Sequence, residues 1–588
     1  MFSSLAAMHR SSSERLGRRV ALRFKRDGLY RDLSWTDYRR QADWAAAGLI
    51  GLGVEPGDRI ALLSENRYEW LVADHAILSA NAVNVPLHAP LAPKQVQYQV
   101  SHSDSRGLIL SGRQQADKVW QVIDELPDLE FVICFDSIEV PAAPRELNTL
   151  TWEGLKHRGR QRADAKMAAG FAGLRVNGIS VPDGASAGRV PGWGDSAAEE
   201  VRTREAELTR DHLATIIYTS GTTGTPKGVM LTHGNLVSNA EATLQVAKVD
   251  SDDVVLSWLP YSHIYARTVD HYLSTLAGLT LCLAESVDTL IINLAEICPT
   301  WMNAVPRFYE KVWSSVEHLS AEARRAELHE IFQSRLRQLS SGGAPLPRHV
   351  CEGIFEAGIP LLEGYGLTET SPVITFSRFD NSRIGTVGQA IPGVEVRIAE
   401  DGEILTRGPH VMPGYWKNPQ ATEETIVNGW LHTGDVGELD EDGFLSITDR
   451  KKDLIITSSG KNIAPGELER LLAGDAYVDQ AVVYGDGRQF ISALIVPNFE
   501  NLKSKVQELG CTLDVQDELI QTPALLDFYQ QRIDSIMEAV SRPERVKKFR
   551  LLARPLQLEA DELTATLKVR RRHVIQKYEA QLAMLYES

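Results

Sequence analysis

Eleven residues at 218–228, YTSGTTGTPKG, concentrate the groups that bind phosphate. Gly221, Gly224 and Gly228 let backbone N–H groups approach an anion and take turns closed to other residues. Thr219, Ser220, Thr222 and Thr223 offer hydroxyl donors, and Lys227 supplies a cation. The spacing is not GxxxxGK[ST], because Lys227 lies between Pro226 and Gly228, so a P-loop NTPase is not inferred. A second run, GYGLTET at 364–370, sets Tyr365 between Gly364 and Gly366 and follows it with Thr368 and Glu369. It offers a ring face, a hydroxyl and a carboxylate within a few residues.

The elements that must position these groups read as alternating helix and strand. Tyr38, Ala42, Ala45, Ala46 and Leu49 recur at helical spacing, with Thr36 as the expected N-cap and Gly51 and Gly53 as the stop. Residues 59–63 read as a buried strand, 68–78 as a helix and 82–87 as a second strand, the alternation that builds parallel sheets. Residues 214–218 form the strand that enters the phosphate-type loop. The stretch 141–207 is rich in Gly, Ala, Pro and Arg and reads as a surface excursion. Near the carboxyl end, strands at 481–484 and 491–496 and helices at 528–540 and 569–582 suit a separate small α+β unit, with a charged seam at 449–453.

At 588 residues, with 43% hydrophobic and 24% charged residues, the chain has the length and composition of a folded protein of more than one domain. A formal charge of −16 argues against binding nucleic acid through overall charge. Five scattered Cys without a CxxC pair argue against a disulfide scaffold or a structural zinc site and favour a reducing cytosol. No apolar run of about 20 residues could span a bilayer. The N-terminal segment, MFSSLAAMHRSSSERLGRRV, reads as a solvated tail or first helix rather than a secretory signal. Its arginines leave a peripheral contact with an anionic membrane open, so the expected location is cytoplasmic, with the membrane surface as an alternative.

The loop at 218–228 resembles the phosphate-binding loop of the acyl-adenylating superfamily, which includes acyl-CoA synthetases, luciferases and peptide-synthetase adenylation domains. SWLPYSHIYAR at 257–267, SGGAPLP at 341–347, LEGYGLTETSP at 362–372, GTVGQAIPGVEV at 385–396, the block at 429–455 and ELTATLKVRRR at 562–572 resemble further family blocks in the family's order. The resemblance implies an α/β fold: a large N-terminal domain of several subdomains at 1–450 and a small, mobile α+β domain at 451–588. It implies that Tyr365 faces adenine, that Gly342, Gly343 and Ala344 wall the same pocket, and that Thr368 meets the α-phosphate. Glu369 would hold Mg²⁺, for which a hard oxygen beside phosphate oxygens is suited. Asp435 would accept the ribose hydroxyls with Arg450 as its helper, and Lys452 would be the hinge. Lys568 would be the mobile catalytic lysine, bridging carboxylate and phosphate. Ala565 stands where close relatives usually have proline, which leaves the preceding loop less restricted in φ.

The implied chemistry is ATP-dependent conversion of a carboxylate to an acyl-adenylate, then transfer to CoA. VPRFYEKVW at 305–313 is most similar to long-chain fatty acyl-CoA synthetases. The acyl side would run near Trp258, Tyr261 and His263, with a structural role for His263 left open. Two enzyme alternatives remain: a fatty acyl-AMP ligase that loads a carrier protein, and a CoA ligase for another apolar or aromatic carboxylate. Residues 449–469 run without an obvious insertion of the kind carried by acyl-AMP ligases, which favours CoA. A non-catalytic nucleotide-binding protein would be expected to lack Lys568 or Glu369, and both are present.

Overall fold

A computed structural model describes residues 1–136, 147–171, 175–176, 179–180, 196–219, 225–451, 453–458, 462–509, 519–557, 560, 562–563 and 569–586. The chain forms two compact units. One comprises Met1–Val396 with Thr406–Leu431, the other Arg397–Leu405 with His432–Ser588. This division differs from the expected 1–450 and 451–588. Residues 435–439 pair with Leu445–Arg450, and Glu403 accepts hydrogen bonds around Gly434, so these segments cluster together on the C-terminal side.

The larger unit is built on two sheets. In the first, the parallel strands Val83–Leu87, Arg59–Leu63, Ser105–Leu110, Phe131–Cys134 and Asn148–Thr151 follow one another from Leu213–Thr219, which pairs in parallel with Val83–Leu87. Lys227–Thr232 and Gly414–Tyr415 add an antiparallel edge. The second sheet has six parallel strands, in the order Leu361–Gly366, Gln338–Ser341, Trp301–Ala304, Val254–Ser257, Thr280–Leu283 and Val20–Arg26. Central strands of parallel sheets are buried on both faces, which is why Arg59–Leu63 and Phe131–Cys134 read as near-continuous apolar runs rather than alternations. The expected alternation at 59–87 appears as Arg59–Leu63, helix Tyr68–Ser79 and Val83–Leu87.

Two local expectations are corrected. Helix Trp35–Gly51 is capped by Ser34, whose Oγ accepts from Asp37 N at 3.1 Å; burial of Trp35 draws the first turn upstream of Thr36. The 141–207 stretch is not only a surface excursion, because it contains helices Trp152–Phe171 and Ser196–Ala206. Trp152 and Leu155 are buried, and a Cβ on Gly159 would lie 1.9 Å from Trp44 O, so small residues let this helix dock closely on Trp35–Gly51. The N-terminal segment takes the first-helix alternative, Leu5–Leu16, docked with Leu5 and Met8 fully buried. Three of its four arginines are engaged within the protein: Arg10 with Asp43 and Glu205, Arg15 with Leu276 O, and Arg19 with Asp252. No described helix is long and apolar enough to cross a membrane.

A buried polar knot tethers the strand that enters the phosphate-type loop. Arg267, on the π-helical stretch Ala266–Tyr272, donates to Thr215 Oγ1 at 2.7 Å and to Tyr272 OH at 2.8 Å, and pairs with Asp74. Thr215 in turn donates to Asn84 O at 2.7 Å, and Asn84 Nδ2 donates to Asp74 at 2.6 Å. Burial alone would raise the Asp74 pKa, but Arg267 and His271 outweigh it and hold the carboxylate far below its usual range.

Nearby, His9 and His75 stack at 3.8 Å between ring centroids, and His233 accepts from Leu5 N; all three are fully buried. Burial pushes their pKa values down, to about 3 for His233, so the folded state holds them neutral. The unfolded chain protonates them near pH 6.5, so their contribution is complete above that value and is lost as pH falls towards the folded values. Three such groups predict a loss of about 4 kcal/mol of stability between pH 7.5 and 5.5. Urea denaturation at the two pH values measures it, and a flat profile would refute neutral burial.

Candidate active site

Several candidate residues of the larger unit lie where parallel strands end, the usual place for ligand sites in open α/β sheets: Thr219 ends Leu213–Thr219, Gly342 follows Gln338–Ser341 and Tyr365 lies near the end of Leu361–Gly366. Strands Leu213–Thr219 and Lys227–Thr232 run antiparallel, and their ladder closes at Thr219 opposite Lys227. Both described flanks of the phosphate-type loop are therefore held face to face. Tyr98 OH donates to Pro226 O at 3.2 Å, and Trp416 N to Gly228 O at 2.7 Å, securing the exit. Ser220, Gly221, Thr222, Thr223 and Gly224 lie outside the described residues, as do Lys452 and Lys568.

Lys227 Nζ sits 4.9 Å from the ring centroid of Tyr415, within the range of a cation–π contact. The Tyr415 hydroxyl donates to Glu369 Oε1 at 2.8 Å. One buried phenol thus joins the loop lysine to the carboxylate of the second motif. Burial and the neighbouring Glu369 push the Tyr415 pKa up, so this phenol stays a donor. Tyr415 arrives through the short edge strand Gly414–Tyr415, paired with Val229 and Met230. Sequence reasoning missed it; the only local signal is an aromatic pair after Pro413-Gly414. Tyr415→Phe should keep the ring beneath Lys227 but free Glu369, lowering activity about tenfold, the usual loss when a hydrogen-bond partner that orients a metal-binding carboxylate is removed. Steady-state rates measured against Mg²⁺ concentration check this.

The second motif is shaped by its own backbone. A Cβ on Gly366 would stand 1.8 Å from Pro372 O, so only glycine fits where the chain turns back on itself. Tyr365 is 9% exposed and pairs in register with Thr375. Thr368 and Glu369 are half-buried on the turn Thr368–Thr370, and Met412 N donates to Glu369 O at 2.9 Å. Asn239 clamps the back of the turn, donating to Val373 O at 2.8 Å and accepting from its N–H at 3.2 Å. Gly342 is buried, and a Cβ there would meet the Tyr265 ring at 3.2 Å and Gly364 O at 3.4 Å. Gly343, at φ +83°, and Ala344 are exposed.

On the expected acyl side, Trp258 donates through Nε1 to Asn303 O at 3.0 Å, and its ring lies 5.8 Å from that of Phe308. The segments 257–267 and 305–313 therefore meet. Tyr261 is corrected: it is fully buried, its hydroxyl donates to Ser257 Oγ at 2.9 Å, and its ring packs on Trp70, so it belongs to the core. His263 is half-buried, and its Nδ1 accepts from Tyr265 N at 3.4 Å.

In the smaller unit, Asp435 and Arg450 face each other across a ladder, with Arg450 Nε 3.1 Å from Asp435 Oδ1. Asp435 is 5% exposed, and Thr433 Oγ1 accepts from its N–H at 3.1 Å. Beside it Glu403, which sequence reasoning also missed, accepts from Gly434 N at 2.9 Å and pairs with Lys451 at 2.8 Å. Burial would raise the Glu403 pKa, but Lys451 and His432 together lower it.

A single carboxylate beside a phosphate-type loop is a donor set that suits Mg²⁺, which keeps waters and substrate oxygens rather than a full protein cage. No cluster of three or more His, Cys, Asp or Glu among the described residues could hold a metal independently of a substrate.

The family described as AMP-binding enzyme matches residues 9–416, and its C-terminal domain matches 452–588. The chain belongs to the AMP-binding enzyme family. This AMP-binding enzyme is 33% identical over 95% of its length to the long-chain-fatty-acid–CoA ligase FadD15 of Mycobacterium bovis, of which it covers 93%. It is 26% identical to the long-chain-fatty-acid–CoA ligase ACSBG2 of Xenopus laevis, over 97% of this chain and 82% of that one. Its fold matches the adenylation domain of a carboxylate reductase from Mycobacterium chelonae with a TM-score of 0.77 at 21% identity, over all of this chain and 91% of that one.

Proposed function

We propose that this AMP-binding enzyme is a long-chain fatty acid–CoA ligase, activating the acid with ATP to an acyl-adenylate and pyrophosphate and then forming acyl-CoA and AMP. The carrying observation is the Lys227–Tyr415–Glu369 chain at the mouth of the phosphate-type loop, which joins a cation and a carboxylate across two distant motifs. The long-chain substrate and CoA are supported by the relatives' activities and by the meeting of Trp258 with Phe308.

In this reading the fatty carboxylate attacks the α-phosphorus and pyrophosphate departs. The step brings two anions together, so its barrier is dominated by charge. Lys227 and the hydroxyls and N–H groups of 219–224 take the triphosphate, and Thr368 meets the α-phosphate. Glu369 would hold Mg²⁺ beside the phosphates, where the ion would supply further neutralisation of their charge. Tyr365, Gly342, Gly343 and Ala344 bound the adenine, while Asp435, oriented by Arg450, accepts the ribose hydroxyls. Lys568 bridges carboxylate and phosphate. Turning of the segment that carries Lys568 about Lys452 then removes that lysine so that a thiol reaches the acyl carbon. Thioester formation expels AMP.

Incubation of the purified protein with ATP, Mg²⁺ and fatty acids of graded length, with and without CoA, tests this by the yield of AMP and thioester. Long-chain acyl-CoA formed only with CoA is the expected result. Acyl-adenylate persisting despite CoA would assign a carrier-protein acceptor, and absence of fatty-acid-dependent AMP would overturn the proposal.

A further inference from the structure

Beneath the acyl-facing segment lies a fully buried carboxylate that the proposed chemistry does not use. Asp270, on the stretch Ala266–Tyr272, accepts from Ser257 Oγ at 2.6 Å and from Asn303 Nδ2 at 2.6 Å. Ser257 ends the strand that leads into Trp258, and Asn303 O receives the Trp258 indole N–H. Both routes from Asp270 therefore end on Trp258. We infer that Asp270 is a positioning residue for the acyl substrate: through Ser257 and Asn303 it fixes Trp258 against Phe308 and so sets the wall that measures the fatty chain.

The inference rests on the proposed function, because it takes the Trp258 segment as the acyl side. Two further observations support it. The ionisable groups facing Asp270 are phenols: Tyr261 through Ser257, Tyr265 and Tyr309, each held neutral by burial. Arg267 and His271, its neighbours on the same stretch, are turned to Asp74 instead. Asn303 Oδ1 is buried and finds no hydrogen-bond donor among the described residues. A protonated Asp270 can donate to the Asn303 amide oxygen while accepting from its Nδ2, pairing acid with amide, whereas the carboxylate can only accept. Burial accordingly raises the Asp270 pKa to about 7, with Ser257 and Asn303 opposing the shift. Loss of the proton removes that donor from the Asn303 side chain, and the backbone O of the same residue receives the Trp258 indole N–H.

Steady-state kinetics of the full chain test this, with ATP and fatty acids of graded length between pH 6 and 8. Asp270→Ala should raise the fatty-acid KM about tenfold and flatten the preference among chain lengths, while the ATP KM stays within about twofold, as expected of lost acyl positioning. Asp270→Asn reproduces the neutral acid, and its fatty-acid KM should lose the pH dependence that the wild type shows near 7. Equal changes in both KM values, or a pH dependence that persists in Asp270→Asn, would overturn the inference. Should Asp270→Ala fail to fold, the Asp270→Asn profile decides alone. A wild type that forms no AMP with any fatty acid would overturn the underlying functional reading instead.

Discussion

Lys568→Ala is expected to reduce fatty-acid-dependent pyrophosphate release about 10²–10³-fold, the range for removing one preorganised charge from a transition state. Thioester formation from supplied acyl-adenylate should stay within about threefold of the wild type, because that half reaction no longer joins two anions. The mechanism assigns the lysine to the developing charge on carboxylate and phosphate, not to substrate affinity. The ATP and fatty-acid KM values should therefore move little while kcat falls. Single-turnover measurements of each half reaction separate the two, and equal loss in both would refute the role.

Glu369→Gln is the second large effect. Glutamine keeps an oxygen to accept from Tyr415, and the backbone stays pinned by Met412 N, so the turn should fold as before. What is removed is the negative charge. Adenylation should fall about 10²-fold and half-saturation should require more Mg²⁺, consistent with loss of a metal-bound carboxylate beside phosphate. Thioester formation from supplied acyl-adenylate should be spared, since pyrophosphate has already left. An Mg²⁺ titration that superimposes on the wild type would remove Glu369 from the metal site.

These predictions draw on two kinds of information. The loop at 218–228 and GYGLTET were readable because phosphate and adenine recognition relies on contiguous backbone, with glycines where the chain must approach or reverse. Gly366, whose Cβ would strike Pro372 O, illustrates this, since its necessity is local. The strand–helix–strand pattern at 59–87 was readable for a similar reason: burial leaves a periodic mark. The docked helix Trp152–Phe171 was not, because it begins in a stretch whose composition resembles a loop and is secured by Gly159 against Trp44, a partner more than a hundred positions away.

Site composition followed the same division. Residue types and short spacings already specify a phosphate cradle, a carboxylate and a cation, and through them the reaction class. Folding alone decided which of these groups touch. Tyr415 reaches Glu369 from 46 positions away by an edge-strand pairing, Asn303 reaches Asp270 from 33, and Tyr261 turned inward to the core although its neighbour Trp258 did not. Chemistry carried by neighbouring residues survives in a linear string, whereas burial and charge pairing arise only when distant strands enter register.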